Sequence, residues 1–280
     1  MTKICWFSGG VTSAVACKLV IDRYGVDKCR VVFIDTMNED PDTYRFKSQC
    51  QDWYGVEIEA VKNDKYTDIQ SVWHKYNSLN VAKGAICSTE LKRSVREKFQ
   101  KENGFSAQVF GFDMSEVNRA KALKSNYPSS KPIFPLIYKL LSKRDCIDIL
   151  VKAGIDPPVT YSYGFQNNNC FLTGCVQGGI GYWQKMQTEF PDKFDTMAKL
   201  EHTLTDKAGK PVTMLKDQSK RKGLVFLRKH PGFPDVLDIS QKKGRPPKPL
   251  FECNGFCGTN DLEPRNTTET EINYDLSNTV

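Results

Sequence analysis

Short apolar runs alternate with longer segments of mixed polarity along the first half of the chain. The runs at 3–7 and 30–34 are almost continuously apolar, which is typical of parallel strands covered on both faces. The pattern predicts strands at 3–7, 30–34, 56–61, 108–110 and 133–134, and helices at 14–24, 42–54, 69–76, 90–102 and 142–154. Because strands that alternate with helices are joined by crossovers, we predict a doubly wound parallel α/β sheet over residues 1–155.

The pattern changes beyond residue 155. The proline pair at 157–158 and the asparagine run at 167–169 are typical of loops. A helix is predicted at 192–204, whereas 205–250 is rich in Lys, Gly and Pro and only weakly periodic. We therefore predict a sheet domain, a cysteine-rich appendage with long loops, and a flexible acidic tail, at 1–155, 156–257 and 258–280.

The composition narrows the class of protein. Hydrophobic residues make up 39% of the 280 residues, which supports a globular core. No apolar run approaches the roughly 20 residues of a membrane span, and no signal peptide is evident. We therefore expect a cytoplasmic protein without membrane contact. Nothing in the sequence indicates an oligomeric state.

The net charge of +7 is concentrated in one segment. Residues 207–248 hold 12 Lys and Arg against 3 Asp and Glu. Such a basic segment is typical of a surface that binds a polyanion such as tRNA or DNA. A solvated lysine-rich surface explains it equally well.

A stretch of small residues, Ser8-Gly9-Gly10-Val11-Thr12-Ser13, joins the first strand to the first helix. A strand, a glycine turn and a helix N-terminus together form an anion site, because the first helical N–H groups have no partner within the helix. No lysine follows the glycines, so the stretch is not a Walker A loop. A plain Ser/Gly turn is the alternative.

This stretch resembles the PP-loop, S-G-G-x-[DT]-S, of the ATP pyrophosphatase superfamily. That superfamily includes phosphoadenylyl-sulfate (PAPS) reductases, tRNA thiolation enzymes and DNA phosphorothioation enzymes. The resemblance implies an adenine nucleotide α-hydrolase-like sheet with strand order 3-2-1-4-5, and makes 1–155 a PP-loop nucleotide-binding domain. It also implies that nucleotide phosphates bind the loop through Ser8, Gly9, Gly10, Thr12 and Ser13.

Three further clusters resemble the PAPS reductase-like branch, and each lies beside a predicted element in the expected order. The segment 35–43 resembles the D-T-x-x-x-x-P-E-T pattern that follows the second strand. The segment 87–92 resembles the C-T-x-x-L-K element. After the fourth strand, Gly111, Glu116 and Arg119 match G-x-x-x-x-E-x-x-R. Taken singly, the first cluster could be an acidic loop that caps a helix, the second a lysine that points to solvent, and the third a surface pair.

The resemblance implies a role for each of these side chains. Asp35 and Thr36 are expected near the ribose or adenine. Lys92, predicted in the first turn of a helix where a cation opposes the dipole, indicates a bound phosphate. Arg119 would fork onto phosphate oxygens, and Glu116 would hold Mg²⁺ or orient Arg119.

The activity implied is cleavage of ATP with Mg²⁺ to AMP and pyrophosphate, which activates an acceptor for sulfur or nitrogen transfer. Cys87 is a candidate catalytic or sulfur-carrying thiol, with a buried inert thiol as the alternative. A PAPS or APS sulfonucleotide reductase is a second possibility, although 252–256 lacks the histidine of the reductases' E-C-G-x-H segment. A non-catalytic nucleotide- or nucleic-acid-binding protein is a third, because Thr12 stands where many ATP pyrophosphatases have Asp.

Four of the ten cysteines form two late clusters, Cys170 with Cys175 and Cys253 with Cys257. In a cytoplasmic protein such clusters indicate metal ligands rather than disulfides. Four thiolates suit either a [4Fe–4S] cluster or a structural Zn²⁺ ion. The other scattered cysteines are predicted to be core residues, namely Cys5, Cys17, Cys29, Cys50 and Cys146.

Overall fold

The computed structural model describes residues 2–81, 84–217, 223–248 and 250. Its centre is a five-stranded parallel sheet with the order β3-β2-β1-β4-β5. The strands are β1 Lys3–Phe7, β2 Cys29–Ile34, β3 Ile58–Val61, β4 Ala107–Val109 and β5 Pro132–Ile133. The predicted fold class and the order 3-2-1-4-5 within this sheet are confirmed.

Helices connect and cover the strands. The eight longest are α1 Val11–Tyr24, α2 Pro41–Tyr54, α3 Ile69–Tyr76, α4 Ser94–Glu102, α5 Val117–Asn126, α6 Lys143–Lys152, α7 Ile180–Glu189 and α8 Pro191–Ala208. Shorter helical turns lie at Val26–Lys28, Ile86–Ser88, Thr89–Arg93, Met114–Glu116, Pro128–Ser130, Pro135–Tyr138, Val159–Ser162 and Ile239–Gln241. Within the described part of the chain, no helix is long and apolar enough to cross a membrane.

Local sequence explains where several helices begin and end. Ser142 and Asp145 form the predicted capping box at the start of α6. Asp40 caps α2 by accepting the Asp42 N–H at 2.9 Å, and Pro41 occupies the first helical position. Gly55 ends α2 in the left-handed conformation with φ 67°.

Both faces of the sheet are covered, as its continuous apolar runs predict. Alternate residues of β1 serve opposite faces: Phe7 packs with Phe46 of α2, and Trp6 packs with Phe99 of α4. The five cysteines predicted as core residues are all buried. The parallel sheet therefore presents only its strand ends for chemistry.

The C-terminal region contains more regular structure than its weak periodicity predicts. Besides α7 and α8 it has a small sheet of order β8-β7-β6, formed by β6 Leu215–Asp217, β7 Gly223–Phe226 and β8 Leu237–Asp238. These strands are two to four residues long, which is too short for a hydrophobic period to stand out. A further two-stranded pairing joins Asn80–Val81 to Gly84–Ala85.

One large apolar cluster spans the boundary predicted at residue 155. Trp73 and Leu91 from the sheet region pack in the same cluster as Trp183 and Phe194 from α7 and α8. Both tryptophans are fully buried. The division of the chain at 155 stays a prediction, as does the acidic tail at 258–280, which lies outside the described residues.

Candidate functional site

The hydrogen bonds of one serine hold together the predicted phosphate loop, residues 8–13. Ser13 Oγ donates to the Gly10 carbonyl at 2.9 Å and accepts from the Ser8 N–H at 3.0 Å and the Ser8 hydroxyl at 2.9 Å. Gly9 has φ +83°, a conformation that favours glycine, and a Cβ there would lie 2.8 Å from Thr43 Cγ2. Thr12 and Ser13 are buried in the first turn of α1. The small residues are therefore required by the shape of the loop.

The start of α1 favours an anion. Its first turn contains no acidic residue, and Gly10 provides no capping side chain. The partial positive charge of the helix N-terminus therefore faces the end of β1 without a carboxylate of its own. Gly111, just beyond β4, lies against this turn, because a Cβ there would be 2.5 Å from Ser13 Cα. The phosphate loop and the end of β4 are thus in direct contact.

Asp35 lies just beyond the end of β2 and is held by two donors. It accepts the Met37 N–H at 2.7 Å and the Tyr44 hydroxyl at 3.1 and 3.0 Å. Burial and the neighbouring Asp35 carboxylate raise the pKa of Tyr44, so Tyr44 stays a hydroxyl donor at neutral pH. The Asp35 carboxylate is therefore oriented before any ligand arrives.

Thr36 and Lys92 meet at a carboxylate that the sequence did not single out. Thr36 Oγ1 donates to Glu39 Oε1 at 2.8 Å, and Lys92 Nζ lies 3.9 Å from the same oxygen. The Glu39 and Lys92 side chains are 1% and 5% exposed. A buried charge needs a partner of opposite charge, which each of these side chains provides for the other. The acidic run around Glu39 in the sequence gives no sign of which carboxylate is buried.

Lys92 does not lie in the first turn of a helix, and that prediction was wrong. Helical structure begins at Ile86 and continues through the π-helical turn Thr89–Arg93 into α4. The earlier start adds about one turn before Lys92, so the dipole argument for a phosphate does not apply. Lys92 is instead held beside Glu39.

Arg119 and Glu116 form an ion pair on the first turn of α5, and the guanidinium also lies 4.5 Å from the centre of the Phe112 ring. Arg119 is 4% exposed. Cys87 is 9% exposed and belongs to the apolar cluster around Trp73. Arg119 is thus a buried cation in the segment that follows β4, whereas the Cys87 thiol is surrounded by apolar side chains.

The cysteine loop, residues 170–175, is brought to the end of β2. Cys170 Sγ lies 3.5 Å from Thr36 Oγ1. The Phe171 N–H donates to the Asn38 carbonyl at 3.0 Å, and the Asn38 side chain donates to Thr173 Oγ1 at 2.8 Å. The sequence spacing gave no sign that this loop returns to the second strand.

The metal prediction rests partly on residues that are not described. Cys253 and Cys257 lie outside the described residues, so only Cys170 and Cys175 can be located, each 9% exposed. The described residues contain no group of three or more His, Cys, Asp or Glu side chains arranged around a metal. The four-cysteine site therefore stays a prediction.

The basic segment 207–248 also stays a prediction as a nucleic-acid surface. Some of its cations already have partners within the chain. Lys242 is paired with Asp217, and Arg228 contacts Asp195 at 2.5 Å. Lys207 donates to the His74 carbonyl at 3.1 Å.

Two residues that sequence reasoning missed reach the phosphate loop from the C-terminal region. Asn168 donates to the Gly9 carbonyl at 2.8 Å, and the Val11 N–H donates to the Tyr161 hydroxyl at 3.3 Å. Both contacts join residues more than a hundred positions apart. The asparagine run carried only a loop signal.

The phosphate loop follows β1, Asp35 and Glu39 follow β2, and Glu116 and Arg119 follow β4, while Lys92 contacts Glu39. These segments supply a glycine-rich loop, a helix N-terminus, two cationic side chains and three carboxylates. Such a set can bind a polyanion and stabilise charge that develops on phosphate oxygens.

Comparison with known proteins gives one family match. The family model of the phosphoadenosine phosphosulfate reductase domain matches residues 2–127, a little under half of the chain. A solved structure of phosphoadenylyl-sulfate (PAPS) reductase from Candida auris, in a phosphate complex, is similar with a TM-score of 0.47 and 16% identity. That match covers 61% of this chain and 82% of the reductase chain. No curated protein matches the chain.

Proposed function

We propose that the protein is an ATP pyrophosphatase of the PP-loop superfamily. The match of residues 2–127 to the family model of the phosphoadenosine phosphosulfate reductase domain supports the proposal. The proposed enzyme cleaves ATP to AMP and pyrophosphate and activates an acceptor for sulfur or nitrogen transfer. The phosphate loop carries the proposal. The backbone of Gly9 has a left-handed conformation, and the first turn of α1 contains no acidic residue. The Ser13 hydroxyl holds the loop together through its hydrogen bond to the Gly10 carbonyl.

The chain's own residues supply positioning and charge. The loop's N–H groups and hydroxyls receive the β- and γ-phosphates, while Arg119 reaches the phosphate that carries the developing charge. Lys92 is proposed to serve the same end, with Glu39 fixing its position. Asp35, held by Tyr44 and Met37, accepts a hydrogen bond from a ribose hydroxyl.

Magnesium fits the described residues. Mg²⁺ usually binds through one or two carboxylates together with substrate phosphates, so a cage of three protein ligands is not required. Glu116 is the carboxylate proposed to hold the ion, and the ion when bound would neutralise phosphate charge. Arg119 forms an ion pair with Glu116, which supports a shared role of the two residues at one phosphate.

The cysteine loop is proposed to act in the sulfur step. Cys170 and Cys175, together with Cys253 and Cys257 outside the described residues, are proposed to hold a [4Fe–4S] cluster or Zn²⁺. The contact between Cys170 and Thr36 supports a location beside the nucleotide. Anaerobic absorption near 400 nm, combined with metal analysis of the full chain, tests which ion is present.

Pyrophosphate release from ATP and Mg²⁺ tests the main proposal. Gly9→Ala forces a side chain into the left-handed region and against Thr43, so we expect at least about tenfold weaker ATP binding. Gly104→Ala is the matched control, because a Cβ there meets nothing within 4 Å. Equal ATP affinity in both variants would remove the phosphate-loop assignment.

A sulfonucleotide reductase is the second candidate function. The Cys170 thiol, 3.5 Å from Thr36 beside the proposed ribose site, is the observation that favours it. Sulfite formation from PAPS or APS with a thiol reductant, without pyrophosphate release from ATP, would support the reductase instead.

A further inference from the structure

The phosphate loop is held from outside the part of the chain that matches the family. Residues 156–168 cross over α2 and end at the loop. Arg45 of α2 donates to the carbonyls of Asp156 and Pro157 at 3.1 and 3.2 Å. The Val159 N–H donates to Asp42 Oδ2 at 2.7 Å. The segment 156–168 is therefore fixed to α2 before it reaches Asn168.

Both polar atoms of the Asn168 side chain form hydrogen bonds at the end of this segment. Its Nδ2 donates to the Gly9 carbonyl at 2.8 Å and to Thr43 Oγ1 at 3.0 Å. Its Oδ1 accepts from Thr160 Oγ1 at 2.9 Å. The side chain is buried, with the residue 4% exposed. Because a carbonyl only accepts, the Gly9 contact fixes which end of the amide faces the loop.

This contact sets the direction of a loop N–H group. The peptide that joins Gly9 to Gly10 is planar and trans, so its C=O and N–H point in opposite directions. When Asn168 holds the Gly9 carbonyl, the Gly10 N–H points away from Asn168. Gly9 can rotate freely because it lacks a Cβ, so its neighbours must fix this orientation.

We propose that Asn168 is a positioning residue for nucleotide phosphate, and this rests on the proposed function. It keeps the Gly9–Gly10 peptide turned so that the Gly10 N–H donates to a phosphate oxygen. Thr160 keeps the Asn168 amide in the required orientation. The nucleotide site therefore includes the segment 156–168, which lies beyond the family match at 2–127.

Titration calorimetry on the full chain tests the proposal with two ligands, ATP and adenosine. For Asn168→Ala we expect about tenfold weaker ATP binding, because the Gly9–Gly10 peptide is no longer held in place and must be ordered when the phosphate binds. Adenosine affinity should stay unchanged, because adenosine carries no phosphate. Gln166→Ala, at an exposed position in the same segment, is the matched control and should bind both ligands as the original chain does.

A second variant adds a pH signature. Asn168→Asp presents a carboxylate to the Gly9 carbonyl at neutral pH, and the protonated acid regains one O–H donor. The ATP affinity of Asn168→Asp relative to the original chain should therefore rise several-fold as pH falls from about 8 to about 5. For Asn168→Ala the same ratio should not change with pH.

The outcomes separate the inference from the proposed function. If the original chain binds ATP and Asn168→Ala binds it equally well, the positioning role is wrong. Equal losses of ATP and adenosine affinity would also overturn it, because they would indicate a structural role alone. If Asn168→Ala does not fold, Thr160→Val replaces it, with about threefold weaker ATP binding expected; unchanged ATP affinity there overturns the role. If the original chain binds neither ligand, the proposed function fails, and the inference with it.

Discussion

Buried main-chain groups are satisfied differently in the sheet region, residues 3–155, and in the C-terminal region, residues 156–250. The five parallel strands pair their peptide groups with one another. In the C-terminal region, some buried side chains form hydrogen bonds with main-chain groups. Glu201 accepts the Met214 and Leu227 N–H groups, and Asn168 donates to the Gly9 carbonyl of the sheet region. The first arrangement depends on regular strand pairing, whereas the second depends on individual residues.

Glu201→Gln is expected to give the largest effect, which is on how stability depends on pH, because this buried carboxyl accepts two main-chain N–H groups. Burial raises the pKa of Glu201 from its ordinary value of 4.5 to about 8, although two N–H donors lower it. Since the folded pKa is raised, the stabilisation is fully present below pH 4.5 and is lost as pH rises through about 8. At about 1.4 kcal/mol per pH unit between pH 4.5 and about 8, the loss is about 5 kcal/mol.

Urea unfolding between pH 5 and pH 9 measures this prediction. The free energy of unfolding should fall with pH in the original chain and much less in Glu201→Gln. The variant should also be less stable at pH 5 by about 1–3 kcal/mol, because its amide NH₂ cannot accept an N–H. Glu57→Gln, at an exposed position, is the control. Parallel pH curves for the two variants would contradict the role of Glu201.

Gly111→Ala tests the close contact between Gly111 and α1 in the sheet region. A Cβ at this position would lie 2.5 Å from Ser13 Cα and 2.6 Å from Ser13 N, so α1 must move away from β4. We expect a loss of about 3 kcal/mol, at the upper end of overpacking costs. Urea unfolding at neutral pH, with Gly104→Ala as control, measures it. A stability within about 0.5 kcal/mol of the original chain would show that this contact can relax.

Thr173→Val tests how the cysteine loop is attached to the sheet region. The change removes the hydroxyl that bonds both ends of the Asn38 side-chain amide. Leaving this buried amide without its partner should cost about 1–3 kcal/mol and speed alkylation of Cys170 in the native protein. Mass spectrometry of alkylated peptides measures the rate, with the exposed Thr196→Val as control. An unchanged Cys170 rate would mean that other contacts hold the loop.

Asp42→Asn should have the smallest effect, at the join between the two regions. The Arg45 guanidinium and the Val159 N–H hold the pKa of Asp42 below its ordinary value of 3.8. Because the folded pKa is depressed, this stabilisation is present above pH 3.8 and is lost as pH falls through the folded pKa. The variant should therefore show a shallower fall in stability in acid, measured by urea unfolding between pH 2 and pH 6. If stability falls equally with decreasing pH in the variant and the original chain, Asp42 does not help to anchor the segment 156–168.

The sequence was sufficient for the sheet because its information is local. Apolar runs such as 30–34, and turn residues such as Gly55, specify each element within a few positions. Lys92 shows the limit of this reasoning. The helical turns at Ile86–Ser88 and Thr89–Arg93 shifted the helix start by about one turn, and boundaries are the least certain part of such a prediction.

The sequence locates candidate site residues only where one strand and its own turn specify them. The phosphate loop and the Glu116–Arg119 pair follow their strands directly. Glu39 could not be separated from its acidic neighbours, because burial depends on contacts with Lys92. Asn168 lies in a run of three asparagines, and only the folded chain shows which of them faces Gly9.

The contacts of Tyr161 and Asn168 with the phosphate loop span 150 and 159 positions of sequence. Closing such long intervals carries a high entropic cost, so these contacts form after local helices and neighbouring strands. A ribosome adds about 5–20 residues per second, so Asn168 is synthesised about 2–8 s after the family-matching part is complete. We therefore expect the phosphate loop to acquire its final geometry only after residue 168 has been synthesised, so nucleotide affinity would report the formation of this long-range contact.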